Sequence, residues 1–200
     1  YDYYDNSSYV PESLKEVIIT GGTSIDEYAF YECSSLASID IPDSVTSIGE
    51  WAFRDCSSLE SISIPFVGEK ADGSGATHFG YIFGAYDYYD NSSYVPESLK
   101  EVIITGGTSI GYRAFFKCSS LTSIVIPDSV TSIDNYAFSY CGLLESIYYK
   151  GTQEQWEAIS IGSGNGDLTG SARYYYSETQ PTDDGNYWHY AEDGKTPVIW

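Results

Sequence analysis

Residues 46–68 read T-S-I-G-E-W-A-F-R-D-C-S-S-L-E-S-I-S-I-P-F-V-G, and the same frame recurs at 23–45, 108–130 and 131–153. Aligned, the units stack Ile25, Ile48, Ile110 and Ile133 in one slot. Phe30, Phe53, Phe115 and Phe138 fill another, and Leu36, Leu59, Leu121 and Leu144 a third. A fixed period in the range of roughly 20 to 50 residues marks a stacked array in which each unit buries its apolar face on its neighbours. A longer period lies above it, since residues 1–25 and 86–110 are identical. Residues 79–85 (F-G-Y-I-F-G-A) lead into the second copy, and nothing equivalent precedes Tyr1. The chain therefore reads as a fragment of a longer protein, with any secretion signal upstream.

Within a unit, Leu36-Ile39-Ile41, Leu59-Ile62-Ile64 and Leu121-Ile124-Ile126 share the pattern L-x-x-I-x-I, varied as Leu144-Ile147-Tyr149. Partial units add Leu14-Val17-Ile19 and Leu99-Val102-Ile104. Alternate isoleucines share one face of a short strand, and neighbouring strands in such a stack pair in parallel. Pro42, Pro65 and Pro127 end the strands and open turns. Residues 25–33 predict one helical turn that directs Ala29, Phe30 and Cys33 inward, with Asp26 and Asp134 as N-caps. The expected fold is thus an α/β repeat solenoid, β-rich and right-handed, with short parallel strands and short helical turns over residues 1–150.

Residues 65–98 interrupt the array and carry eight aromatics, a content that predicts packing onto the flank of the stack. After Lys150, Thr152 and Gln155 form a capping box for a short helix running through Ile159. Residues 173–177 read as a strand and 187–200 as a hairpin turning at Asp193 and Gly194. Residues 151–200 are the expected β-containing cap, because an array end exposes an apolar edge.

The units I-G-E-W-A-F-R-D-C-S-S-L-E-S-I-S-I-P and I-P-D-S-V-T-S-I resemble the Treponema-type, or BspA-like, leucine-rich repeats. The resemblance covers residues 14–150 apart from the insertion. The segments G-T-Q-E-Q-W at 151–156 and W-H-Y-A-E-D-G at 188–194 resemble endings of such proteins from gut bacteria. It implies secreted or surface-displayed proteins of host-associated bacteria, several acting as adhesins, and no catalytic residues.

Composition narrows the partners. With 9 Lys and Arg against 29 Asp and Glu, the formal charge is −20. Phosphate backbones and anionic membrane surfaces would be repelled, so nucleic acid is not an expected partner. No run of about 18 apolar residues occurs, so no membrane insertion is expected. Cys33, Cys56, Cys118 and Cys141 share one slot and read as buried, reduced thiols. His78 and His189 read as packed side chains, and no catalytic motif, metal site or cofactor is expected. The Asp and Asn groups at 87–91 and 183–186 lack calcium-loop spacing and read as turn formers, with calcium the open alternative. The N-S-S tripeptides at Asn6 and Asn91 match a glycosylation sequon.

Function is therefore expected on surfaces. If Leu and Ile point inward, Asp40, Ser63, Ile103, Val125 and Tyr148 form an outward row on the strands. This row is the expected ligand-binding face for a host or matrix protein. An aromatic set, Tyr86, Tyr88 and Tyr89 with Tyr187, Trp188 and Trp200, is the alternative, for carbohydrate or protein. Head-to-tail self-association as a structural stalk, through an unpaired first strand, is a third reading.

Overall fold

The computed structural model describes residues 13–200. Its frame is a nine-stranded sheet ordered β1, β3, β5, β6, β8, β10, β12, β13, β14. Six of these are the expected strands: β1 (Glu16–Ile18), β3 (Ser38–Asp40), β5 (Ser61–Ile64), β6 (Glu101–Ile104), β8 (Ser123–Ile126) and β10 (Ser146–Tyr149). All six pair in parallel, with serines or glutamates matched in register, as Ser38 to Ser61, Ser61 to Glu101 and Ser123 to Ser146. The inward residues Ile39, Ile62, Val102, Ile124 and Ile147 are fully buried. Two-residue strands turn the corner of each unit: β2 (Ser24–Ile25) beside β4 (Ser47–Ile48), and β7 (Ser109–Ile110) beside β9 (Ser132–Ile133).

The segment opposite the strands is not helical. Ala29 donates to the Asp26 carbonyl at 3.2 Å, Tyr31 to Tyr28 at 3.1 Å and Cys33 to Phe30 at 3.2 Å, a chain of tight turns. The expected helical turn is corrected here for a physical reason. A helix satisfies its amides internally, whereas these turns send alternate amides to the next unit. Phe30 N–H reaches the Ala52 carbonyl at 2.7 Å and Glu32 N–H the Arg54 carbonyl at 2.9 Å; Phe115 and Lys117 reach Ala137 and Ser139 likewise. The geometry needs left-handed backbone at two slots per unit. Tyr28, Trp51, Arg113 and Tyr136 fill the first at φ 54–63°, and Glu32, Asp55, Lys117 and Tyr140 the second at φ 59–61°. Such φ values are unfavourable for bulky residues, so the inter-unit ladder offsets the strain.

Between the two layers runs a column of rings. Phe30 stacks on Phe53 at 5.2 Å and Phe115 on Phe138 at 5.0 Å, and the insertion bridges the gap with Phe83 and Phe79, the latter 5.0 Å from Phe115. Each fully buried ring contributes about 1.5–3 kcal/mol. The insertion is thus a stretched repeat unit whose turn is a 3-10 segment at Phe79–Phe83, followed by α1 (Asn91–Tyr94). It rejoins the turn ladder through Phe53 N–H to the Ile82 carbonyl and Phe79 N–H to the Ala114 carbonyl, both 2.8 Å. Buried Asn91 completes the joint. Its carbonyl accepts from Gly80 N–H at 3.0 Å, and its amide donates to the Phe116 carbonyl at 2.9 Å and the Ala114 carbonyl at 3.4 Å. A side chain so enclosed is no glycan acceptor in the folded chain; Asn6 lies outside the described residues, as do the tyrosines of 1–9.

The cysteine slot lines the same column. Cys56 and Cys141 thiols point at the Phe30 and Phe115 carbonyls, at 3.1 and 3.0 Å, and all four cysteines are free and buried.

The repeat path runs past Lys150. After α2 (Gln153–Glu157), whose capping box has both expected bonds, β11 (Ser160–Ile161) pairs with β9. Then α3 (Gly166–Gly170) leads to β12 (Ala172–Tyr176), which pairs in parallel with β10. Asn165 closes the turn ladder by accepting from Phe138 N–H at 3.0 Å. The motif is lost at Lys150 while the backbone keeps its register, so no break in the sheet falls at 150/151. β13 (Tyr187–Tyr190) and β14 (Pro197–Ile199) form the antiparallel C-terminal hairpin.

Candidate binding surfaces

Two surfaces are built by this fold. The first is the outward face of the strands, and the C-terminal hairpin folds across it. At one end Trp188 is fully buried, donates its indole N–H to the Tyr149 carbonyl at 2.9 Å and packs 5.5 Å from the Tyr148 ring. At the other end the Lys195 ammonium pairs with Asp40 and lies 3.6 Å from Glu16. Asp193 shapes the tip by accepting from Thr196 and Lys195, bonds that hold its carboxyl down at about 2. Burial pushes the Tyr190 phenol up to about 12.

This covering revises the expected row. Val125, between the two anchor points, is fully buried and presents nothing to a partner. Tyr148 is half-buried and stacked on Tyr174 at 5.5 Å. Asp40 is taken by Lys195, while Ser63 and Ile103 stay half-exposed beside the hairpin tip. Trp188 is likewise removed from the aromatic set, because it is the core of the hairpin joint. Tyr187 gives its hydroxyl to Asp183, and Trp200 stacks on His189 at 3.9 Å, donates its indole N–H to the Ser177 carbonyl and is 41 % exposed. Both histidines are tied to carbonyls, His78 to Ala85 at 3.0 Å and His189 to Tyr190 at 2.8 Å.

The second surface is the outside of the turns. The left-handed slots aim their side chains away from the phenylalanine column, and in the second half they hold Arg113, Lys117, Tyr136 and Tyr140. The Arg113 guanidinium lies 4.8–5.4 Å from the rings of Tyr88, Tyr89, Tyr112, Phe116 and Tyr136. It also donates to the Tyr89 hydroxyl at 2.6 Å. The rings meet edge to face, Tyr88 with Tyr112, Tyr112 with Tyr136 and Phe116 with Tyr140, at 5.3–6.3 Å. Tyr140 is 66 % exposed and Tyr86 89 %, while Tyr89, Tyr112 and Tyr136 keep about two fifths or more of their surface in water. A smaller group continues along the first half, where Arg54 covers Trp51 at 4.8 Å and Tyr94 at 5.8 Å. Tyr88 and Tyr89 from the expected set belong here. Arg113, Lys117, Tyr112, Tyr136 and Tyr140 were not singled out from sequence; their signal is that they fall in the recurring slots of Glu27, Tyr28 and Glu32, two of which are left-handed in every unit.

Known repeat proteins share this pattern with the chain. The description "BspA type Leucine rich repeat region" matches it in six copies, over residues 4–72 and 89–160. The chain belongs to the BspA-type leucine-rich repeat family. Among solved structures it is similar to a leucine-rich cell surface protein from Faecalibacterium prausnitzii, at 33% identity with a TM-score of 0.46, covering 76% of this chain and 36% of that one. A leucine-rich repeat protein from Eubacterium ventriosum is 21% identical (TM-score 0.43), covering 80% of this chain and 37% of that one. The Treponema pallidum leucine-rich repeat protein is 22% identical (TM-score 0.35), covering 82% and 74%. The chain thus spans little more than a third of the first two relatives. No functionally curated protein matches it. Among the described residues no helix is long and apolar enough to cross a membrane.

Proposed function

We propose that this chain is a non-catalytic protein-binding module of a secreted or surface-displayed bacterial protein, an adhesion element that meets host or matrix protein with its tyrosine-rich turn flank. The observation that carries the reading is the exposed ring cluster around Arg113. Tyrosine and arginine dominate the energetic centres of protein interfaces, because they bring large contact area with few rotors and a polar tip. Here they are held in place by ring–ring and guanidinium contacts before any partner arrives, which lowers the ordering cost of binding. The strand face supports the reading less, since the hairpin occupies it.

Retention on immobilised extracellular-matrix proteins tests this. Tyr112→Ala and Tyr140→Ala are each expected to weaken retention by about 1–2 kcal/mol, roughly five- to thirty-fold. Retention unchanged in both variants would move the binding surface elsewhere.

Carbohydrate attachment is favoured by one observation, the partly exposed Trp200 ring stacked on His189. A glycan-array signal lost in Trp200→Ala is its mark. Head-to-tail association is favoured by Ile18, 56 % exposed on β1 at the end of the sheet. A mass by light scattering that rises with concentration, and falls back in Ile18→Lys, is its mark.

A further inference from the structure

Beside the hairpin tip lies a groove of about 420 Å³, a size ordinary for ligand sites. Its apolar lining is the outward-facing Ile103 on β6 with Pro42, and the edges of Ile19 and Ile41 where the inward row of β1 and β3 ends. One wall is the hairpin, through Tyr190, Gly194 and Lys195. Asp40 and Asp43 also line it, Asp43 accepting from the Thr105 hydroxyl, and Glu16 on β1 lies on the same Lys195 ammonium as Asp40. Lys195 is the one cation in this lining, against the carboxylates of Asp40, Asp43 and neighbouring Glu16.

We propose that this groove is a second binding surface, for an extended peptide segment carrying a lysine or arginine, and that Lys195 is a built-in occupant which the segment displaces. Four features support this. An apolar floor with an acidic rim complements a long cationic side chain, whose methylenes pack while its head pairs with carboxylate. Lys195, from the chain's own hairpin, already places its ammonium on Asp40 inside this lining. The pair it makes is partly exposed to water, so its net worth is small and an incoming cation can replace it. The charge of −20 adds long-range attraction for a basic segment. The surface is separate from the tyrosine flank and stands whether or not that flank binds protein.

The test is fluorescence anisotropy on the intact chain, with a fluorescein-labelled pentapeptide bearing a central lysine between valines, and its glutamate counterpart. The lysine peptide should bind, with affinity falling as salt rises, and the glutamate peptide should not. Lys195→Ala should tighten binding roughly two- to five-fold by vacating the seat. Lys70→Ala removes the same charge from the insertion and should change little. Asp40→Asn and Ile103→Lys should each weaken binding, with thermal melts confirming that both fold. Equal binding of the two peptides, no binding of either, or looser binding in Lys195→Ala would overturn the proposal. Tyr112→Ala should leave peptide binding unchanged, so loss of the groove and loss of the flank read out separately.

Discussion

Replacing Asn91 by alanine tests the clamp that joins the insertion to the array. Its amide is fully buried and makes three hydrogen bonds across the 3-10 segment and the following unit. Removal leaves the Gly80 N–H without its acceptor and the Phe116 carbonyl without its donor, while the Ala114 carbonyl keeps Phe79 N–H at 2.8 Å. Two orphaned buried groups at about 1–3 kcal/mol each predict a loss of about 2–6 kcal/mol. For a chain of this length that lowers the midpoint by roughly 4–24 °C. The space cannot be refilled from the other side, since a Cβ on Gly80 would sit 2.7 Å from the Ala85 Cβ. Differential scanning calorimetry reads the midpoint, and hydrogen exchange at Gly80, Phe115 and Lys117 reads the site of damage. Asn91→Asp keeps the acceptor but places a carboxylate against two carbonyls. It should be at least as damaging at neutral pH and partly rescued in acid. A midpoint within about a degree of the parent for Asn91→Ala, with unchanged exchange, would refute the reasoning.

Other outcomes follow from the same geometry. Burial pushes the Cys118 and Cys141 thiols up, the latter to about 12, and contact with Cys33 raises Cys56; these thiols should resist iodoacetamide until the chain is unfolded. Burial raises the Glu101 carboxyl above its ordinary range, against the opposing Ser123 hydroxyl. The unfolded chain therefore loses that proton first, and the stability this group contributes is present at low pH and lost as pH rises through its folded pKa. Glu101→Gln should raise the melting midpoint at pH 7 and leave it unchanged below about pH 4. Trp188→Ala should cost about 3–5 kcal/mol and detach the hairpin, seen as faster exchange at 187–199 and at Val125 while β3 and β5 stay protected.

The strands were legible because their signal is binary. Leucine and isoleucine at alternate inward positions leave one register, and β1, β3, β5, β6, β8 and β10 hold it across an insertion of 34 residues. The turn side was less legible. Ala29, Phe30 and Cys33 fit one face of a helix as well as they fit successive turns, and what separates the two is the left-handed backbone at Tyr28 and Glu32 with the amides that leave Phe30 and Glu32 for the next unit. That difference relocated the functional side chains: Arg113 and Tyr136 came out as flank residues because their slot is left-handed. Val125 and Trp188 failed as binding residues for another reason. Their exposure depends on where a C-terminal hairpin folds in three dimensions, and local pattern carries no information about that.

The most direct test of the binding account compares two variants for retention on the same immobilised matrix protein. One is Tyr112→Ala with Tyr140→Ala, which strips rings from the flank. The other is Trp188→Ala, which uncovers the strand face. The account predicts that the flank variant loses retention at least about tenfold while the uncovered variant keeps it. Full retention by the flank variant, with retention raised by uncovering the strands, would contradict it.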